Sequence, residues 1–211
     1  MKLDLHVHSR YSVKDCSLSL RDLVRVAKAR GLSGFALTDH NTVRGHAEAR
    51  RLSRRGFIII PGIEISTTKG HVLGLGVSEE IPPNLHPAEA VERVHEQGGV
   101  AVAAHPFSIG RSPSMVHMAK FDALEVLNAR AGWFSNMLAK GFAERNGIPG
   151  VGGSDAHLLE DVGEAYTVLN CEPKIEGIIE EIRRGETSAG GRSLPLPLTL
   201  WRIIQRVLHK G

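Results

Sequence analysis

Residues 20–40 read LRDLVRVAKARGLSGFALTDH, and the order of parts in this stretch decides the fold. LRDLVRVAKARG has the spacing of an amphipathic helix closed by a glycine, which supplies the left-handed cap. LSGFAL follows as a short apolar run almost free of charge, the mark of a strand covered on both faces. Thr38-Asp39-His40 then gathers polar residues where the strand ends. The unit recurs as AEARRLSRRG, FIIIPGI and Glu64, and again as AEAVERVHEQGG, VAVAA and His105-Pro106. It returns last as FSNMLAKGFAERNG, IPGVGG and Ser154-Asp155-Ala156-His157. Helices alternating with buried strands predict βα units around a mainly parallel sheet.

Other segments extend the scheme. Leu3, Leu5 and Val7 alternate with Asp4, His6 and His8, which predicts a first strand with its apolar set on one face. HVLGLGV from His71 and FDALEVLN, ending near Asn128 and Arg130, read as further strands, and IEGIIEEIRRGE as a late helix. About seven strands in a chain of 211 residues predict an α/β fold, a reduced or distorted (β/α)7 TIM-like barrel with mainly parallel strands. We assign residues 1–192 to this domain and 193–211, SLPLPLTLWRIIQRVLHKG, to a carboxyl-terminal amphipathic helical extension.

Composition removes several classes. Hydrophobic residues at 42% and charged residues at 23% exclude a disordered chain, a fibre or a coiled coil. No apolar run approaches the roughly 20 residues that cross a bilayer. Twenty-six Lys and Arg against 23 Asp and Glu leave +3, which permits a phosphate-bearing partner without requiring one. Two cysteines, Cys16 and Cys171, make no disulfide framework. The opening MKLDLHVH places histidines where an export signal needs an apolar core, so a cytoplasmic location is expected.

Eleven histidines stand out, and their positions carry the chemistry. His6-Val7-His8 puts two imidazoles on one side of a strand, within reach of one cation. Asp155-Ala156-His157 repeats that spacing with a carboxylate, and Asp39-His40, Glu64, His71 and His105 fall between. Carboxyl-terminal strand ends of a parallel barrel meet at one mouth, so these residues are expected to share a pocket. Mixed imidazole and carboxylate donors suit Zn, Mn or Fe. They exceed what one ion can use, which implies two or three ions with Glu64 as the natural bridge. Asp39 reads as a residue that orients His40 or caps a helix. His46, His86, His95, His117 and His209, and the run Arg50-Arg51 with Arg54-Arg55, read as surface groups. Gly152-Gly153 allows close backbone approach, to the metals or within a tight strand end.

DLHVHSRYSVKD, ALTDHNT, PGIEIS, GHVLG, AAHP and GGSDAH occur in the order found in the PHP (polymerase and histidinol phosphatase) family, which the sequence resembles over nearly its whole length. Small stand-alone phosphoesterases of that family look most similar. The resemblance implies one ion on His6, His8, Glu64 and Asp155, and a second on Glu64, His71 and His105. It implies a third on Asp15, His40 and His157; Asp15 stands at a longer spacing than in many members, and without it two ions remain. It further implies phosphate-ester hydrolysis by a metal-activated hydroxide, with Glu64 and Asp155 catalytic. A cation for the phosphoryl oxygens is sought in Arg130 first, then Arg111, then Lys69. The expected partner is a small phosphorylated substrate, a nucleotide or an oligonucleotide end, with the chain a monomer or homodimer. Two alternatives stand beside this: a non-catalytic PHP scaffold in a nucleic-acid-processing complex, and an amidohydrolase-type metal hydrolase. The latter also opens on H-x-H but bridges with a lysine where this chain has Glu64.

Overall fold

Nine strands and five helices succeed one another in the pattern the repeat predicts, in a structure (a computed structural model) that describes residues 1–12 and 15–195. They run β1 (Lys2–Val7), α1 (Leu20–Ala29), β2 (Gly34–Leu37), α2 (His46–Leu52), β3 (Ile58–Thr67), β4 (Gly70–Leu75) and α3 (Pro87–Glu96). There follow β5 (Val100–Ala104), β6 (Ala123–Asn128), α4 (Trp133–Asn146), β7 (Gly150–Gly153), β8 (Ala165–Val168), α5 (Ile175–Arg184) and β9 (Ser188–Gly191). The strands form one sheet in the order β7-β6-β5-β4-β3-β2-β1-β8-β9. The pairs β1–β2, β2–β3, β5–β6 and β6–β7 are parallel, whereas β4 and β8 run antiparallel to their neighbours. The result is a nearly closed, mainly parallel α/β barrel. The strand count exceeds the expected seven by the β8–β9 pair, which occupies the seam. Beyond Pro195 the proposed extension, with His209, lies outside the described residues.

Two glycines close the barrel. A Cβ on Gly153 would sit 2.5 Å from the Cβ of His6, and one on Gly152 would sit 2.6 Å from the carbonyl oxygen of Tyr166. The close approach is therefore between strands. Across this seam Thr167 Oγ1 accepts from the Gly152 N–H at 2.8 Å, and the His8 N–H donates to the Ala156 carbonyl at 3.1 Å. Gly153→Ala is expected to destabilise the fold by about 1–3 kcal/mol, read as a lower urea midpoint, because neither His6 nor its backbone can withdraw. An unchanged midpoint would mean that the seam is looser than these contacts.

The interior cluster joins Leu3 and Leu5 to Ala36, Ile60, Leu73, Val102 and Val151, with Ile178 and Ile182 of α5 plugging the end away from the mouth. Val7, however, packs outward with Phe35, Leu37 and Ile59 beneath α1 and α2. The expected single apolar face of β1 is thus broken. Its pairing with β2 shifts register between Asp4 and Val7, as at a β-bulge, which re-aims the following side chains. The β-irregularity leaves His6 and His8 facing the mouth.

Candidate metal centre

His6, His8, Asp15, His40, Glu64, His71, His105, Asp155 and His157 come from every part of the chain and converge at the mouth of the barrel. His6 and His8 project from β1 and its end, His40 follows β2, and His105 and Asp155 follow β5 and β7. His71 lies at the start of β4, and since β4 runs backwards its first residues are the ones at the mouth. Glu64 departs from the expected strand-end position: β3 continues to Thr67 in a hairpin with β4, and Glu64 sits in its middle beside His40. His105 and Asp155 take φ of 31° and 55°, left-handed values uncommon outside glycine and frequent at functional sites.

The donor atoms fall in three neighbouring groups, the first two sharing Glu64. In the first, the Nε2 atoms of His6 and His8 are 3.1 Å apart, 3.3 and 3.2 Å from Glu64 Oε2, and 3.8 and 3.5 Å from Asp155 Oδ1. In the second, Glu64 Oε1 lies 2.5 Å from His71 Nδ1 and 3.1 Å from His105 Nε2. In the third, Asp15 Oδ2 lies 2.5 Å from His157 Nε2 and 3.1 Å from His40 Nε2. The two oxygens of Glu64 face different sets.

Partners outside the cup fix which nitrogen faces in. His6 Nδ1 donates to Glu125 Oε1 at 3.0 Å, whose other oxygen accepts from the His105 N–H at 2.8 Å and from Asn128 at 2.9 Å. Ser12 Oγ donates to Asp39 at 2.9 Å and accepts from the His40 N–H at 3.0 Å, so His8 Nδ1, at 3.2 Å, also donates to it. Asp39 further accepts from the N–H and hydroxyl of Ser9 at 2.7 and 2.8 Å. It therefore steadies His8 and His40 through Ser12 rather than capping a helix. Glu125 was not singled out in the sequence; a lone acid inside the apolar strand FDALEVLN was its only signal.

These residues fit divalent cations. With Nδ1 of His6 and His8 engaged as donors, both Nε2 atoms turn toward one point, and two lone pairs 3.1 Å apart call for positive charge between them. His40 Nδ1 and Glu64 Oε2 are buried 3.1 Å apart, and neither makes a hydrogen bond among the described residues. Burial opposes charge on His8, yet the neighbouring carboxylates of Asp155 and Glu64 push it up to about 9. Burial would raise Glu64, but the imidazoles of His40, His71 and His6 hold it well below the usual carboxylate range. Asp155 is held low against burial by His6 and Arg130. His157 is lowered to about 4 by burial and by His8.

Two of the three candidate cations reach the centre. Arg130 Nη1 contacts the Asp155 carbonyl at 3.3 Å and touches His157 Nδ1, and Arg111 Nη1 lies 3.1 Å from His71 Nε2. Lys69 sits on the exposed β3–β4 turn. His86 caps α3, His95 pairs with Asp122 at 2.8 Å, and His46 bonds the Gly62 carbonyl at 2.8 Å; none joins the cup. No helix among the described residues is long and apolar enough to cross a membrane.

Barrel and cup together define a class: α/β barrel proteins whose mouth gathers imidazole and carboxylate groups able to hold divalent metal. Residues 133–187 match the family described as PHP-associated. An uncharacterized protein of Methanocaldococcus jannaschii is 38% identical over 141 residues, 61% of this chain and 82% of that relative. The phosphoribosyl 1,2-cyclic phosphate 1,2-diphosphodiesterase of Eggerthella lenta is 41% identical over 86 residues, 37% of this chain and 32% of its own. The barrel superposes with a TM-score of 0.71 and 20% identity on a two-domain protein of Bacteroides vulgatus containing a predicted PHP-like metal-dependent phosphoesterase, covering 90% of this chain and 64% of that one. The chain belongs to the PHP family of metal-dependent phosphoesterases.

Proposed function

We propose that the chain hydrolyses a phosphate ester of a small metabolite, a nucleotide or an oligonucleotide end, with two or three divalent ions (Mn, Zn or Fe) held by the nine converging residues. The observation that carries this reading is the position of Glu64, one oxygen among His6, His8 and Asp155 and the other between His71 and His105. A carboxylate shared in this way would hold two cations, which would supply positive charge to one phosphoryl group. Bound divalent ions supply Lewis-acid charge and bring the pKa of water at the site toward neutrality. The chain's own part is positional. Glu125 and Ser12 hold His6 and His8 by their outer nitrogens, and Asp155 stays ionised beside Arg130. Arg130 donates to phosphoryl oxygens that the cations leave free, and Arg111 covers the opposite side next to His71. The complete ligand set argues against the scaffold alternative, and a carboxylate at 64 against the amidohydrolase type.

The test is metal analysis followed by a phosphate-release screen over aryl phosphates, nucleotides, sugar phosphates and diesters. Release that depends on Mn, Zn or Fe, stops with chelator and returns on reloading is expected. Failure of every ester with a fully loaded protein would overturn the reading. Arg130→Ala is expected to raise KM about tenfold with a smaller change in kcat, the loss of a charge-assisted contact to bound phosphate. An unchanged KM removes Arg130 from the substrate site.

A further inference from the structure

Four large apolar side chains of α4 stand out from the barrel: Trp133, Phe134, Met137 and Leu138 are 63, 55, 49 and 38% exposed. Beside them runs a groove of about 680 Å³, lined by Trp133, Asn136 and Met137 of α4, by Leu127 of β6, and by Ala189 and Ser193. Apolar residues exposed singly are ordinary, but four adjoining ones along an apolar groove call for cover. We propose that residues 198–208 of this same chain occupy the groove and cover the exposed face of α4.

The course of the chain after β9 carries the inference. Ser193 lines the groove, and its hydroxyl accepts from Asn136 Nδ2 at 2.9 Å, while the Leu194 N–H donates to the Ala129 carbonyl at 2.7 Å. The described residues end at Pro195, two positions beyond Ser193, and residues 196–211 follow in the sequence. There Leu200, Trp201, Ile204, Val207 and Leu208 have the spacing of one helical face, with Arg202, Gln205, Arg206 and His209 between them. The barrel's own pattern agrees. Strands β1, β2, β4, β6 and β8 each precede a helix, and the sequence after β9 supplies the next helical pattern.

Reach favours this occupant over a second copy. A chain spans at most about 3.5 Å per residue, so Leu200 can stand up to about 17 Å from Pro195. The 14 residues of α4, at about 1.5 Å each, make a helix about 21 Å long. A segment tied so closely meets the groove at an effective concentration in the millimolar range, above that of any free copy in dilute solution. Since α4 begins three residues after Arg130, cover over Trp133 also braces the turn that carries that arginine.

The test is hydroxyl-radical labelling of the full chain, read residue by residue by mass spectrometry, at a concentration where sedimentation shows a monomer. Trp133 and Met137 are expected to label about tenfold more slowly than the free amino-acid amides, the protection given by a docked state favoured by one order of magnitude. In the double variant Ile204→Asp, Leu208→Asp they are expected to label nearly as the amides do, while Phe35 and Met115, both 0% exposed, stay protected. Rates close to those of the amides in the unaltered chain would overturn the proposal, as would protection that survives the two aspartates. Protection that appears only as concentration rises gives the face to a second copy, and protection only with phosphatidylglycerol vesicles gives it to a membrane; either result refutes docking within the chain. Should the variant lose its fold, seen as labelling of Phe35 and Met115, lysine cross-linking of the unaltered chain decides. Lys210 is expected to link to Lys140, which lines the groove, within one chain. Links from Lys210 no more frequent to Lys140 than to Lys28 of α1 or to Lys174 would sink the proposal.

Discussion

Glu64→Gln is expected to lower phosphate release by about 10³-fold or more and to cost the protein two ions at once. The amide matches the carboxylate in size, so the buried site between β3 and its neighbours keeps its packing, with Glu64 only 1% exposed. Its chemistry does not survive. Glutamine offers one acceptor oxygen, and its NH₂ must then point at either the His6–His8 pair or the His71–His105 pair, where nitrogens already present lone pairs. One set loses its anionic ligand outright and the other keeps a neutral, weaker one. Metal-to-protein ratio measured beside turnover distinguishes the outcomes. Loss of activity with all ions retained would show that Glu64 serves the reaction in some way other than bridging.

The repeat of helix, glycine, apolar run and polar cluster was readable because a parallel barrel repeats the same physical problem at each unit. Strand-end positions of His40, His105 and Asp155 followed from that periodicity. What escaped it were places where local rules yield to tertiary contacts. β9 reads SAGG, with neither apolar alternation nor bulk, and exists because it pairs with β8 at the seam. The reversal of β4 follows from the tight turn after Thr67, which returns the chain along β3 and brings His71 back to Glu64. The register shift in β1 leaves no trace in the strict alternation of LDLHVH; only pairing with β2 reveals it. The metal-facing residues could be chosen from their types and spacing. The residues behind them could not, since Ser12 and Glu125 differ from any other polar residue only in what they touch.

Glu125 is where that hidden layer meets the chemistry, and Glu125→Ala is expected to weaken metal affinity or turnover by about 10–100-fold. One oxygen accepts from His6 Nδ1 and thereby holds Nε2 toward the first set; the other accepts from the His105 backbone N–H, at a residue whose φ of 31° is costly to hold. A single side chain thus positions a residue of each of two neighbouring sets. Alanine releases both, and His6 is then free to change tautomer or rotate. Glu125→Gln retains one acceptor oxygen and can serve His6 or His105 but not both, so it should recover part of the loss. Metal dissociation constants from chelator competition, taken at a temperature where each variant is fully folded, separate positioning from stability. A merely structural glutamate would lower the melting temperature and leave the affinity of the folded protein unchanged. Graded weakening from Glu through Gln to Ala, with kcat falling in step, is the pattern that a ligand-orienting carboxylate requires.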